Sequence, residues 1–317
     1  MQITGLKLQD AAKRLLAEGR VELVLGFGAG SLPLRSAPCF VRRPEDAGKL
    51  IWDPTCENNL AVYLPKRNGK TAVVAQGCDT RALVTLIQEN QIDRENLYII
   101  GVPCTGMIDR RKTAALLEGR ELLAARLEPG ALTLEGKDFA KTVPLAEVLH
   151  ETCLACTCPN PVIYDELAGE QVPAKAADDF SAVEAFAAQP AAARRAFLAE
   201  ELSRCIRCYA CRQACPLCYC EECFADCATP QWIGKGAQTQ DSLLFQAVRV
   251  FHLAGRCADC GACERACPVG IRLSVLTRKM VKDVKDLFGY EAGVDPERKP
   301  ALTTFAPNDP QAFLVKE

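Results

Sequence analysis

Histidine is almost missing: the 317 residues contain two, His150 and His252. Imidazole is the usual proton carrier near neutral pH, so the chain is poorly equipped for histidine-based acid–base chemistry. Carboxylate and flavin chemistry stay open. An excess of one charge is missing too. Against 38 Lys and Arg stand 40 Asp and Glu, a formal net charge of −2. That leaves no basic footprint for nucleic acid. No apolar run reaches the roughly 18 residues of a membrane span. The opening Met1-Gln-Ile-Thr-Gly-Leu-Lys-Leu-Gln-Asp lacks the apolar centre of a signal peptide. A cytoplasmic protein without a membrane span or a nucleic-acid partner is expected. Apolar residues make up 49%, enough for a real core, so disorder is not the default. The length suits two domains.

Cysteine is abundant instead, with 19 in the chain. Disulfides are rare in a reducing cytosol, so metal–sulfur sites are the better account of them. Cys205-Ile-Arg-Cys208-Tyr-Ala-Cys211-Arg-Gln-Ala-Cys215-Pro216 and Cys257-Ala-Asp-Cys260-Gly-Ala-Cys263-Glu-Arg-Ala-Cys267-Pro268 both read C-x2-C-x2-C-x3-C-P. This is the spacing that holds a 4Fe–4S cube in bacterial ferredoxins, the fourth thiolate serving the other cluster. The spacing predicts one cluster on Cys205, Cys208, Cys211 and Cys267. It predicts a second on Cys257, Cys260, Cys263 and Cys215. Zinc sites more often use spaced pairs of Cys, or Cys with His.

The middle of this ferredoxin-like region is long. About forty residues, 217–256, separate the two halves. They carry Cys218, Cys220, Cys223 and Cys227 at C-x-C-x2-C-x3-C, a quartet that suits another cluster or a zinc ion. Residues 241–254 then read as an amphipathic helix capped by Asp241 or Ser242 and ended by Gly255.

The N-terminal half reads differently. Residues 8–18 have helical periodicity up to Gly19, and Val21–Gly26 reads as a strand. Gly26-Phe-Gly-Ala-Gly-Ser31 is followed by Pro33 and Pro38 rather than by a helix, so a glycine-rich turn is expected there and not a phosphate loop. Lys70–Gln76 is an apolar strand, Gly77–Arg81 a turn and Ala82–Glu89 a helix with Asp79 or Thr80 as N-cap. Asn96–Val102 is a second strand. Strand, helix and strand make a βαβ unit and hence a mainly parallel α/β core. Binding sites in such sheets lie beyond the carboxyl ends of the strands, where Cys78 and Cys104 both fall. Residues 113–125 read as a helix and 130–145 as short strands.

Cys153-Leu-Ala-Cys156-Thr-Cys158-Pro159 is a ligand loop. A third site is expected on Cys153, Cys156, Cys158 and Cys104, with Cys78 as the alternative fourth ligand and a structural zinc as the alternative metal. Cys39 and Cys56 are read as buried thiols. Residues 165–183 form a linker, and 182–203 an Ala-rich helix broken near Pro190 with Arg194, Arg195, Glu200 and Glu201 on a solvated face. Leu273–Leu287 is a helix whose Arg278, Lys279, Lys282 and Lys285 give either a docking face or a solvated one. In the tail, isolated Phe305, Phe313, Leu314 and Val315 suggest strapping across a neighbouring subunit.

Residues 72–165 resemble the beta subunits of coenzyme F-420-reducing hydrogenases and of formate dehydrogenases. The similar features are Gly101-Val-Pro-Cys104, the helix with Leu83-Val84-Thr85, and the Cys153-x2-Cys156 loop leading to Pro161 and Asp165-Glu-Leu-Ala. The ferredoxin motifs, with Cys215-Pro-Leu-Cys218-Tyr-Cys220, are similar to dicluster proteins found with hydrogenases, formate dehydrogenases and heterodisulfide-reductase-type complexes. The resemblance implies an electron-transfer subunit of an anaerobic redox complex, with catalytic redox subunits as partners and ferredoxin as a diffusible one. It also implies FAD, although Gly77-Cys78-Asp79-Thr80-Arg81 departs from that family's glycine-rich flavin turn; Arg81 offers a charge for a phosphate. The rival is a flavin-dependent oxidoreductase acting on deazaflavin or a similar carrier. A third reading is an adaptor whose metals only staple the fold.

Four regions follow from this reading. Residues 1–170 form an α/β domain with a mainly parallel sheet, and 171–203 a linker and helix. Residues 204–272 form an α+β two-cluster ferredoxin-like domain with a cysteine-rich insertion at 217–256, and 273–317 a helix and tail.

Overall fold

The computed structural model describes residues 2–177 and 179–301. Helix α1 (Gln2–Ala17) leads into strands β1 (Leu23–Ala29), β2 (Ser36–Val41) and β3 (Leu50–Ile51). Next come β4 (Thr71–Ala75), α2 (Gly77–Gln88), β5 (Leu97–Gly101) and α3 (Arg110–Leu117). A meander of β6 (Ala124–Glu128), β7 (Ala131–Glu135) and β8 (Ala140–Pro144) follows, then α4 (Glu151–Leu154) and β9 (Glu166–Leu167). The remainder is helical: α5 (Ser181–Ala187), α6 (Ala191–Ser203), α7 (Ala210–Gln213), α8 (Thr239–His252), α9 (Ala262–Arg265) and α10 (Ser274–Phe288).

The main sheet runs β2-β1-β4-β5-β9, with β3 also on β1. Pairings β1/β4, β4/β5 and β5/β9 are parallel, and β1/β2 and β1/β3 are antiparallel. The sheet is thus mostly parallel, built on the β4–α2–β5 unit. Every residue of central β4 is buried, which suits β-branched Val73 and Val74; burying one such side chain contributes about 1.5–3 kcal/mol. On α1, Leu8, Ala11, Ala12 and Leu15 recur at helical spacing and all are buried. This helix begins six residues before its apolar pattern does. The meander β6–β7–β8 packs over its own cluster of Ile108, Leu132, Leu134, Val143 and Val148.

Several expectations need correction. The glycine-rich stretch is not a turn: Gly26 and Gly28 lie inside β1. A Cβ on Gly26 would sit 2.7 Å from a Leu50 methyl and 3.1 Å from a Val74 methyl, so packing between strands, not chain reversal, explains that glycine. Gly77–Arg81 is the first turn of α2, and the N-cap is Gln76 rather than Asp79 or Thr80. Helix α3 stops at Leu117 because Glu118 adopts a left-handed conformation, and Ala125 belongs to β6. Helix α8 is capped by Gln238, not by Asp241 or Ser242.

The strands of an α+β ferredoxin unit are not formed among the described residues of 204–272. Helices lead into the motifs instead: Ala-rich α6 before the first, and α8, with its buried Phe245 and Val250, before the second. The bases on α10 are not a free docking face. Arg278 pairs with Asp259, Lys279 with Asp283, Lys282 with Asp286 and Lys285 with Glu291. Among the described residues no helix is long and apolar enough to cross a membrane. Phe305, Phe313, Leu314 and Val315 lie outside the described residues.

Candidate metal centre

The two C-x2-C-x2-C-x3-C-P copies fold alike. In each, the residues two and four places after the first cysteine are left-handed: Arg207 (φ 53°) and Tyr209 (φ 59°) in the first copy, Asp259 (φ 51°) and Gly261 (φ 69°) in the second. A left-handed non-glycine residue costs about 1–2 kcal/mol. Arg207, Tyr209 and Asp259 carry that strain at matched positions, as ligand loops do. Each copy then closes with a single helical turn, α7 carrying Cys211 or α9 carrying Cys263.

The fourth cysteines cross over. Buried Cys267, from the second copy, packs in one cluster with buried Cys205 and Cys211 of the first; Cys208 is exposed at its edge. Ile271 N donates to Cys267 Sγ (3.4 Å) and Gln246 Nε2 to Cys211 Sγ (3.6 Å). Conversely, Cys215 of the first copy lies in the electrostatic field of Cys260 and Cys263 of the second, and Cys257 adjoins both of those.

At the carboxyl edge of the sheet, the chain after β5 meets the Cys153–Cys158 loop. Cys104 N donates to Pro159 O (2.8 Å), and Ile108 bridges to Leu149. Backbone amides point at sulfur: Gly106 N at Cys104 (3.3 Å), Met107 N at Cys153 (3.5 Å) and Cys158 N at Cys156 (3.3 Å). Gly77 permits the approach, since a Cβ there would lie 1.8 Å from Cys158 O. A cavity of about 340 Å³ results, walled by Cys78, Cys104, Cys153, Cys156 and Cys158 and also by Cys260 and Arg265 of the second motif.

Burial shapes the thiols. It pushes Cys156 up to about 11. It pushes Cys263 up to about 12, against the pull of Arg249. Cys78, Cys104 and Cys257 are also raised by burial. Cys218 moves the other way because Cys215 hydrogen-bonds to it. Burial raises Asp79 to about 7, with Arg265 opposing. Such thiols stay protonated at neutral pH until a metal displaces the proton.

The donor set fits iron–sulfur clusters. Arg249 is buried among Cys211, Cys215, Cys218 and Cys263. Its Nη2 donates to Cys211 O (3.1 Å), while Nε and Nη1 have no acceptor. Cluster sulfides are acceptors that suit such donors. Among the described residues no three Cys, His, Asp or Glu side chains converge on a single ion.

The insertion cysteines pack in different surroundings. Cys218 packs in the α/β core with Cys215 and Cys257, Cys223 packs in the cluster around Phe245, and Cys220 is exposed. The Cys223–Cys227 turn is tied by Cys227 Sγ to Cys223 O (3.5 Å) and by Lys235 Nζ to Ala225 O (2.9 Å). Cys56 is fully buried and Cys39 half-buried.

Arg81 is not available to a phosphate. It is buried, donating from Nε to Ala292 O (2.9 Å) and pairing with Glu291 (3.1 Å). Sequence reasoning also passed over Arg249 and Arg265. Arg265 had a visible signal: it lies between two motif cysteines, Cys263 and Cys267, where the first motif has Gln213.

Residues 201–271 match the protein family described as 4Fe-4S dicluster domain. The F420-dependent formate dehydrogenase subunit beta of Methanocaldococcus jannaschii is 28% identical, with 91% of both chains covered. The F420-dependent formate dehydrogenase 1 subunit beta of Methanococcus maripaludis is 26% identical over 92% of this chain and 91% of its own. A solved structure, a xenon derivative of the F420-reducing NiFe hydrogenase complex of Methanosarcina barkeri, overlaps at 18% identity and a TM-score of 0.37, covering 49% of this chain and 58% of that one. That overlap is too loose to bear on the fold. Over nine-tenths of its length the chain is similar to F420-dependent formate dehydrogenase beta subunits, and within that length residues 201–271 match a 4Fe–4S dicluster domain.

Proposed function

We propose that the chain is an iron–sulfur electron-transfer subunit of an anaerobic redox complex, linking ferredoxin-type clusters to a catalytic or flavin-bearing partner. The relatives, by their names, are subunits of F420-dependent formate dehydrogenases, which supports a formate dehydrogenase as partner; a hydrogenase or heterodisulfide-reductase-like partner is the alternative that the ferredoxin motifs imply. Ferredoxin serves as the diffusible partner.

Cys205, Cys208, Cys211 and Cys267 hold one 4Fe–4S cluster; Cys215, Cys257, Cys260 and Cys263 hold the second. Cys104, Cys153, Cys156 and Cys158 hold a third, with Cys78 as the alternative to Cys104. When bound, the clusters supply reversible one-electron chemistry. The chain's own residues do the rest. Buried Cys205, Cys211 and Cys267 and the apolar packing around them limit water at the first site. Amides of Gly106, Met107, Cys158 and Ile271 donate toward sulfur, and buried arginines offset negative charge; both adjust potential. One observation carries the reading: thiols of the α/β half and Cys260 of the second motif wall a single cavity. The two halves therefore share a boundary made of ligands.

Iron, zinc and acid-labile sulfide per chain, on anaerobically purified protein, test it. About twelve irons, three cubes, support the relay. About sixteen add a cube on Cys218, Cys220, Cys223 and Cys227, and about one zinc assigns that quartet to structure. About eight irons leave the α/β half without a cluster and sink the relay.

A second reading, a flavin-dependent reduction of deazaflavin or a similar carrier, draws on Gln76. This residue is buried on the cavity wall, and its Oε1 has no partner, as a flavin N–H would require. A yellow chromophore released by acid supports FAD, and a colourless supernatant removes it.

A further inference from the structure

Arg265 sits where the two halves meet. It lies on α9 between Cys263 and Cys267, and 8% of its surface is exposed. Nε and Nη2 donate to Glu57 O (2.9 and 2.6 Å), in the loop after β3, and Nη1 donates to Cys260 O (2.5 Å). Two of these bonds tie the second motif to the α/β half, the third holds the motif's own Cys260 carbonyl, and the Glu57 carboxylate lies in the field of the guanidinium. Next to it, a Cβ on Gly261 would lie 2.6 Å from Thr152 Oγ1. The motif loop therefore rests directly on α4, one residue from Cys153. The same side chain forms part of the wall of the cysteine cavity.

We propose that Arg265 is a positioning residue whose single buried charge sets the reduction potentials of two neighbouring clusters at once. They are the one on Cys215, Cys257, Cys260 and Cys263 and the one on Cys104, Cys153, Cys156 and Cys158. The inference rests on the cluster assignment above. Reduction adds one negative charge to a cluster. A fixed positive charge nearby favours the reduced form and raises the potential, and burial leaves that effect weakly screened. The fields of Cys260, Cys153 and Cys78 all reach Arg265, so its charge acts on both sides. Arg249 is the contrast: the cysteines around it, Cys211, Cys215, Cys218 and Cys263, include none of Cys78, Cys104, Cys153, Cys156 and Cys158.

The test is an EPR-monitored potentiometric titration with dithionite on the anaerobically purified full chain, alongside an iron count. Arg265→Gln installs the residue that the first motif carries at this position, and Arg265→Lys keeps the charge. With wild-type iron content, Arg265→Gln moves both midpoints to more negative values. A tenfold or larger change in each reduction equilibrium is expected, which is about 59 mV for a one-electron couple. Arg265→Lys brings both back toward wild type. Unmoved midpoints, or a shift at one site alone, overturn the inference and leave the relay standing. Loss of iron from both variants assigns Arg265 to folding alone and equally overturns it. A wild-type protein with two cluster signals overturns the third site and this inference together.

Discussion

Alanine at position 77 is the sharpest test of how the α/β metal site is built. Its Cβ would stand 1.8 Å from Cys158 O and 2.8 Å from Asn160 O. Both obstacles are backbone, so neither can swing aside. To reach ordinary contact at 3.4 Å, the Cys158 carbonyl must recede by about 1.6 Å. The loop resists: Cys104 N binds Pro159 O, Val162 N binds Thr80 Oγ1 (2.9 Å), and the Asn160 amide exchanges two bonds with Val172 (2.7 and 2.9 Å). Overpacking costs about 1–3 kcal/mol and each broken hydrogen bond about 1 kcal/mol. A total of about 2–4 kcal/mol is expected, concentrated on the segment that presents Cys156 and Cys158. Iron and sulfide counts on Gly77→Ala should fall by about four per chain, one cube, while the signals of the dicluster domain persist. Gly48→Ala is the control, because nothing lies within 4 Å of its Cβ. Wild-type iron content and melting temperature in Gly77→Ala would refute the account of Gly77 as the residue that admits the loop.

Leu83→Ala empties a fully buried position on α2. It should cost about 2–5 kcal/mol in denaturant unfolding without lowering iron content under native conditions. His150 is pulled down by burial but raised on balance by the neighbouring carboxylates of Asp109 and Glu57. Its stabilising charge is complete below the unfolded value near 6.5 and is lost as pH rises through the folded value. Melting temperature should fall across that range, and His150→Asn should flatten the fall. Asp109 is held down to about 2, against its own burial, by His150 and backbone amides, so its contribution is lost only as pH drops from about 4 toward 2. Cys218→Ser should alter the EPR signal of the cluster on Cys215 and Cys263, since Cys218 adjoins both. Cys223→Ser, packed near Phe245, should leave that signal in place.

The parts of this molecule that could be read in advance are those whose cause is local. Cysteine spacing marks the dicluster-like region from Cys205 to Cys267, and two apolar runs mark β4 and β5. The break at Pro190 separates α5 from α6 through the same short-range chemistry. What escaped depends on residues far apart in the chain. Gly26 looks like a turn residue until Leu50 and Val74 are seen against it. Arg81 looks like a phosphate ligand until Glu291 and Ala292 arrive from the other end of the chain. Cys260 joins the cavity of Cys104 and Cys153 through tertiary packing alone. One miss was avoidable: Asp283 and Asp286 stand four residues after Lys279 and Lys282, the spacing of paired charges on a helix face.

The exchange of fourth cysteines has a topological consequence. Cys215 leaves the first motif to join the second, and Cys267 returns to the first. On the proposed ligand assignment the segment 217–256 is a loop pinned at both mouths, with no disulfide among the described residues. A covalent tie around a loop of this size would restrict the unfolded chain by about 4 kcal/mol, and bound metal would act in the same sense. Once the mouths are pinned, doubling the loop's length adds only about 0.6 kcal/mol of closure cost. The insertion is therefore a region where length can drift at little cost, whereas moving Cys215 or Cys257 by one residue would displace a ligand of the second site.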